Sequence, residues 1–176
     1  MDVTNHVLME CGQPLHAFDR DRLRGNCIRV ATARPDMQFT TLDGQDRSLT
    51  ENDLLIWDQE RPVALAGVMG GGNSEITADS STVLLESAVF NPVSVRKTAR
   101  RLGLSSEASY RFERGVDQMG NTYAMNQATT LIAELSGDDA RIRNDRHDIQ
   151  QRACFDETSG NRCERDFDLG FSAATF

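Results

Sequence analysis

The chain has no basic surplus: 19 lysines and arginines stand against 27 aspartates and glutamates, a formal net charge of −8. A surface that grips nucleic acid along its length shows as an excess of positive charge, so wholesale electrostatic binding is excluded and any phosphate contact must be local. No run approaches the roughly 18 apolar residues that a membrane span needs. Met1-Asp2-Val3-Thr4 has neither the basic start nor the apolar stretch of a secretion signal, and a soluble, cytoplasmic protein is expected. The four cysteines, at positions 11, 27, 154 and 163, form no CxxC pair and have no histidine at partnering distance. Neither a metal site nor a disulfide is implied. Internal repeats and low-complexity tracts are lacking too, and 176 residues allow one domain with a core, followed by a tail.

The glycine run Gly67-Val68-Met69-Gly70-Gly71-Gly72 contains neither GxxxxGK[ST] nor GxGxxG, which excludes the usual phosphate-cradling loops. Its glycines still mean that the main chain approaches something closely, another strand or a ligand.

What is present divides into two halves. Ile28-Arg29-Val30-Ala31, Phe39 to Leu42, Leu54 to Trp57, Pro62 to Leu65 and Thr82 to Ala88 read as strands, with Asp43-Gly44 as a tight hairpin turn. Two helices are predicted after them. The first opens at Asn91-Pro92, a cap followed by proline in the first turn, and stops at Gly103. The second includes Asn121 to Leu135, with Tyr123, Ala124, Ala128, Leu131, Ile132 and Leu135 spaced for one apolar face. Strands first and helices after predict an α+β domain with mixed or antiparallel sheets. Residues 138–176 are rich in charge and poor in aliphatics, and a poorly ordered or peripheral tail is expected there.

Three features bear on chemistry. Glu86 lies between Leu84, Leu85 and Ala88 on a core strand, where a carboxylate is costly to bury unless a donor or a ligand meets it. A general base oriented by Asp19 is one reading of His16, but the two sit three apart with no accompanying serine or cysteine nucleophile motif, and by itself His16 reads as structural. The window from Arg96 to Arg114, with Arg96, Lys97, Arg100, Arg101, Arg111 and Arg114 against Glu107 and Glu113, carries +4 and is the place for a phosphate contact, or else an ordinary solvated helix face.

Five blocks in order, Asp2-Val3-Thr4-Asn5 through Gly12-Gln13-Pro14-Leu15-His16-Ala17-Phe18-Asp19, Ala64 to Gly71 with Asn73-Ser74-Glu75, Leu84-Leu85-Glu86-Ser87-Ala88, Arg100 to Leu104, and Glu107 to Asp117, resemble signatures of the bacterial phenylalanyl-tRNA synthetase β subunit. The resemblance covers residues 1–137 and leaves 138–176 as a divergent tail. It implies the tRNA-binding and editing domain of that subunit, lacking the elements that precede this point in the family. It implies an editing pocket that hydrolyses tyrosine wrongly attached to tRNA(Phe). Asn5, His16, Gly67, Glu86 and Ala108 match pocket positions, and Ser106 matches one that is usually threonine.

On that resemblance His16, Asn5 and Ser106 position water and ester, with help from the N–H groups of the glycine loop. Glu86 accepts the tyrosine phenol, and Gly67 and Ala108 act by smallness, so that a tryptophan at either would block entry and leave the fold mostly intact. Arg96, Lys97, Arg100 and Arg101 are weaker candidates for tRNA contact. No metal or cofactor is expected in the domain, since ATP and Mg belong to the parent enzyme's catalytic subunit. The implied partners are the aminoacylated 3′ end of tRNA(Phe) and the α subunit. A non-catalytic tRNA-binding or subunit-interaction fragment is the alternative, and an inert fragment is the third reading. Ser105-Ser106 stands where the family usually has Arg-Thr, and a truncated reading frame is expected from the absent leading elements.

Overall fold

The computed structural model describes residues 2–26, 28–136, 143–145 and 172–175. Helix α1, Asp2–Cys11, turns Val7 and Leu8 inward and ends at Gly12, whose φ of 74° lets its N–H reach back to the Leu8 carbonyl at 2.9 Å. The chain then enters β1, Leu15–Asp19. Two 3-10 turns, Arg20–Arg22 and Arg24–Asn26, lead to β2, Arg29–Thr32. The hairpin of β3, Gln38–Thr40, and β4, Asp46–Ser48, follows. Next come β5, Leu54–Trp57, β6, Pro62–Leu65, β7, Met69–Gly70, and β8, Val83–Ser87. The helices α2, Pro92–Leu102, α3, Glu107–Phe112, and α4, Gly120–Ser136, complete the matched part of the chain. Strands β9, Arg143–Asp145, and β10, Ser172–Thr175, come from the tail.

All pairings are antiparallel. One sheet has the order β1-β8-β10-β9, a second β2-β5-β6-β7, and β3-β4 stands apart as a ribbon. The α+β expectation holds, with three helices after β8 in place of two, and α1 and β1 ahead of the strands that the sequence displayed. The expectation of a poorly ordered tail lies, apart from β9 and β10, outside the described residues.

The first sheet has two faces of different character, because alternate residues of a strand point to opposite sides. Leu15, Ala17 and Leu85 face α1 and α4, where they join Val7, Ala124, Met125 and Ala128 in a small core. Phe18 and Leu84 face the other way, into the larger core built around β5 and β6. Every residue of β5 and β6 is buried, which matches their uninterrupted apolar runs.

Two local expectations shift. Asp43-Gly44 sits in a longer loop, residues 41–45, because Thr41 N–H bonds the Gln45 carbonyl at 3.0 Å and the Asp43 carboxylate accepts from Thr41 Oγ1 at 2.5 Å. Gly44 keeps the expected positive φ, 73°. On α4 the buried stripe is Asn121, Ala124, Met125, Ala128 and Thr129, while Tyr123 and Leu135 are exposed. The three-and-four spacing admits both sets, and the position of the first sheet selects one.

Candidate functional site

Where the inner face of the first sheet meets β6, β7 and α3 there is a cavity of about 80 Å³. Its walls are Ile56, Ala64 and Leu65 from the second sheet, Phe90 ahead of α2, and Ala108 and Phe112 from α3. Phe90 and Phe112 meet edge to face at 5.0 Å between ring centroids, a favourable aromatic geometry.

Among the described residues two titratable side chains line the cavity, His16 and Glu86. They are direct cross-strand partners, paired in the β1-β8 register. Glu86 is 5 % exposed, and its Oε2 has no hydrogen-bond partner among the described residues. Burial pushes its carboxyl up to about 8, because the charged form is poorly solvated there. The same crowding pulls the His16 imidazole down to about 4. His16 is half-buried, with its ring 4.5 Å from that of Phe18 in an edge contact. The other side of the ring lies against Gly70, where an added Cβ would stand 2.7 Å from Cε1 and 2.9 Å from Nε2. Only a glycine allows this approach. Both shifts favour the uncharged form at neutral pH.

The Asp19 carboxylate does not orient this imidazole. An odd separation along β1 puts Asp19 on the other face, where it accepts from Ser80 Oγ at 2.7 Å and Asp21 N–H at 3.0 Å and pairs with Arg22. The remaining residues singled out in the sequence divide between wall and support. Ala108 and Gly67 line the cavity. Gly67 has a second duty that the sequence concealed: its φ is 68°, and a Cβ there would meet Phe90, Val95 and Phe112 at 2.9, 3.0 and 3.1 Å. A tryptophan at 67 therefore disturbs the aromatic wall and the backbone, contrary to the expectation that it would merely block entry.

Ser106 stands behind the wall. As N-cap of α3 it accepts from Ser109 N–H at 3.0 Å and donates its own proton to the Val68 carbonyl at 2.7 Å, tying the helix that carries Ala108 to the glycine loop. Asn5 is exposed on α1 and is not among the lining residues. Within the glycine loop the N–H groups of Ala66, Val68, Gly71 and Gly72 are all committed to protein carbonyls, so the loop is a structural crossing and those four are not a ready anion cradle. Gln13, buried ahead of β1, holds the end of β8 through Nε2 to the Ala88 carbonyl at 2.8 Å.

The basic window is much reduced. Arg101 pairs with Asp53 and donates to the Ser48 carbonyl, Arg111 pairs with Glu107, and Arg114 pairs with Glu113 while lying over the Tyr110 ring at 3.6 Å. Arg96, Lys97 and Arg100 are exposed on α2 and make no ion pair among the described residues.

A larger depression of about 330 Å³ lies by Glu10, Cys11, Gln13, Asp117 and Tyr123. Its polar groups have protein partners or face water: Glu10 pairs with His6, Asp117 accepts from Met119 N–H, and the Gln13 amide is committed as above. Volume alone does not make a site, and the unsatisfied buried carboxyl marks the smaller cavity instead. No group of His, Cys, Asp and Glu among the described residues is arranged to hold a metal ion, and no helix among them is long and apolar enough to cross a membrane. Phe90, Phe112 and Gly70 are lining residues that sequence reasoning did not assign. The glycine run was the one visible signal for Gly70, while the two phenylalanines look like any core residue.

Residues 1–137 match the B3/4 domain family. Over 137 residues the chain is 66% identical to the phenylalanine--tRNA ligase beta subunit of Nitratidesulfovibrio vulgaris, 64% to that of Oleidesulfovibrio alaskensis and 56% to that of Salinibacter ruber. Each alignment covers 78% of this chain and 16–17% of the relative. The chain thus spans about one sixth of the length of the curated relatives it matches.

Proposed function

This chain belongs to the B3/4 domain family, its first 137 residues corresponding to part of a phenylalanine--tRNA ligase beta subunit, and from that membership and the cavity we propose that it is an editing domain hydrolysing tyrosine from Tyr-tRNA(Phe). The observation that carries this reading is the buried Glu86 Oε2, unpartnered among the described residues, at a cavity whose other side-chain walls, His16 apart, are apolar. Apolar walls suit the aromatic ring, and the free carboxyl oxygen suits the phenol. A phenylalanine ring would leave the carboxyl unsatisfied at a cost of about 1–3 kcal/mol, which is about 5- to 150-fold in selectivity. Such a second site answers a general difficulty: a pocket that accepts phenylalanine rejects an isostere with one more hydroxyl only weakly.

In the reaction, water oxygen bonds to the ester carbonyl carbon and one proton leaves it. The bond from that carbon to the ribose oxygen then breaks, the ribose oxygen takes up a proton, and tyrosine and tRNA separate. His16, neutral at working pH, supplies a hydrogen bond that orients the water or the ester. A base held near 4 is a weak proton acceptor, so its contribution is positioning more than proton abstraction. Ser106 acts through Val68 and α3 as a positioning residue, and Ala108 shapes the ring slot. Asn5, expected to position water and ester, is exposed on α1 and off the cavity, and the reading gives it no part in the step. Arg96, Lys97 and Arg100 are the phosphate-facing set. The reading assigns the domain no cofactor, places it in the cytoplasm, and leaves ATP-dependent activation and the α-subunit interface to the rest of the parent enzyme.

Deacylation of purified Tyr-tRNA(Phe) tests the proposal: turnover that Glu86→Ala and His16→Ala abolish or make indifferent to the hydroxyl supports it. The unpaired cations of α2 favour a second reading, a non-catalytic tRNA-binding or subunit-contact module. Absence of turnover together with tRNA binding that weakens steeply with salt would replace the first reading with the second.

A further inference from the structure

We propose that Glu86 works as a neutral carboxylic acid, donating to and accepting from a ligand hydroxyl at once, and that this proton sets the cavity's preference for a hydroxyl-bearing ring. The inference rests on the site reading above and deepens it. The argument begins with what surrounds the group. Across the strand pair stands His16, which is neutral. Asp19, the charged residue of β1, is on the opposite face and is held by Ser80 and Arg22. β5 and β6 contribute Ile56, Ala64 and Leu65 to the cavity, and β7 contributes Met69 and Gly70. The charged residues of α3, Glu107 and Arg111, pair with each other at the surface. Tyr123 and Glu134 of α4, and His6 and Glu10 of α1, belong to elements packed on the far face of the sheet, the side to which Leu85 points. β10, on the other edge of β8, has the sequence Ser172-Ala173-Ala174-Thr175 and contains no titratable residue.

No cation among the described residues compensates Glu86. A bare carboxylate in such a place is penalised by the loss of its hydration, and holding the proton removes that penalty. The shift of the carboxyl up to about 8 agrees. The protonated group has a donor that the carboxylate lacks. A phenol can accept that donor while giving its own proton to the carbonyl oxygen, a reciprocal pair unavailable to a phenyl ring. Loss of the proton removes that donor, and the single bond that remains runs from the phenol to a charged acceptor.

The test uses the full chain with 13C-labelled glutamate, the Glu86 side-chain carboxyl resonance being assigned by its loss in Glu86→Gln and followed from pH 5 to 9.5. The expected midpoint lies above pH 7. A midpoint in the ordinary carboxylate range overturns the proposal whether or not the protein hydrolyses anything. In parallel, calorimetry compares L-tyrosinamide with L-phenylalaninamide between pH 6 and 9, below the phenol's own pKa near 10. The amine common to both cancels in the ratio. The ratio is expected to change several-fold across the midpoint in the parent chain, as two neutral hydrogen bonds give way to one charge-assisted bond and the phenyl ring faces a charged group. In Glu86→Gln, a neutral isostere with donor and acceptor, it is expected to stay level. A pH-independent ratio in the parent chain, or a Gln variant that loses selectivity as fully as Glu86→Ala, overturns the link between proton and preference. A high midpoint with neither amide bound defeats the hydrolase reading of the cavity and the preference with it, while confirming the neutral acid.

Discussion

Asp53 and Glu86 are both carboxyls with almost no exposure, and they live opposite lives. Asp53, just before β5, accepts from Thr50 N–H at 2.7 Å, Thr50 Oγ1 at 3.0 Å and Thr98 Oγ1 at 2.8 Å, and pairs with Arg101. Asp58, just after β5, is the same kind of group: desolvation raises its carboxyl, yet the N–H groups of Arg61, Glu60 and Arg24 and the Arg61 cation outweigh that and hold it low. Glu86 has an oxygen with no partner among the described residues and no cation beside it. A buried polar group that is saturated belongs to the fold, and one left open at a cavity is available to a ligand. The difference separates structure from function within one small domain, where burial alone would have put all three carboxyls together.

The sharpest way to break the comparison is to remove both kinds of carboxyl. Asp53→Ala is expected to lower stability by about 3 kcal/mol, because Thr98 and Arg101 lose the group that joins α2 to the second sheet. Urea unfolding measures it, and a loss under about 1 kcal/mol would contradict the structural role given to Asp53. Glu86→Met, by contrast, should leave the fold as stable or more so while ending tyrosine selectivity.

The pH dependence follows from the two shifted groups. The Glu86 carboxyl lies above its usual 4.5, so the folded state holds a proton that the unfolded chain releases, and stability falls as pH rises from 4.5 to about 8. His16 lies below its usual 6.5, so the unfolded chain holds the proton and stability rises from about pH 4 to 6.5. The two slopes cancel between 4.5 and 6.5, and a net fall on the order of 2 kcal/mol is expected from pH 6.5 to 8. Thermal unfolding across this range should show that fall in the parent chain and a level line in Glu86→Met. The same fall in both would mean that another group titrates.

The smallest expected effect concerns support. Ser106→Ala loses a helix cap, about 1 kcal/mol, and loosens the tie to Val68. Deacylation should slow through kcat with little change in KM, and Ser106→Thr should restore it. Failure of threonine to rescue would remove Ser106 from the positioning set.

Much of this was legible along the chain. The buried runs of β5 and β6, the Asn91-Pro92 start and Gly103 stop of α2, and the family signatures are local signals, and each landed where the sequence placed it. Glu86 drew attention because a carboxyl among leucines is a local anomaly. Among the elements that escaped, β1 and the short α3 have no strong period of their own, and neighbours decide their conformation. Tyr123 and Leu135 fit the apolar spacing of α4 but lie outside its buried stripe, since a helix can offer more apolar residues than its partner covers.

The sequence by itself determined the family, the α+β composition and the presence of one misplaced acid, because these depend on residue types and short spacings. Tertiary structure alone decided that His16 faces Glu86 across a strand pair, that Gly70 makes room for that imidazole, and that Arg101 is held by Asp53. Seventy residues separate His16 from Glu86. What brings them together is the β1-β8 register, and what pushes the Glu86 carboxyl up is burial behind a wall of side chains gathered from four distant segments. Burial and desolvation are properties of that assembled surface, and no stretch of chain carries them alone.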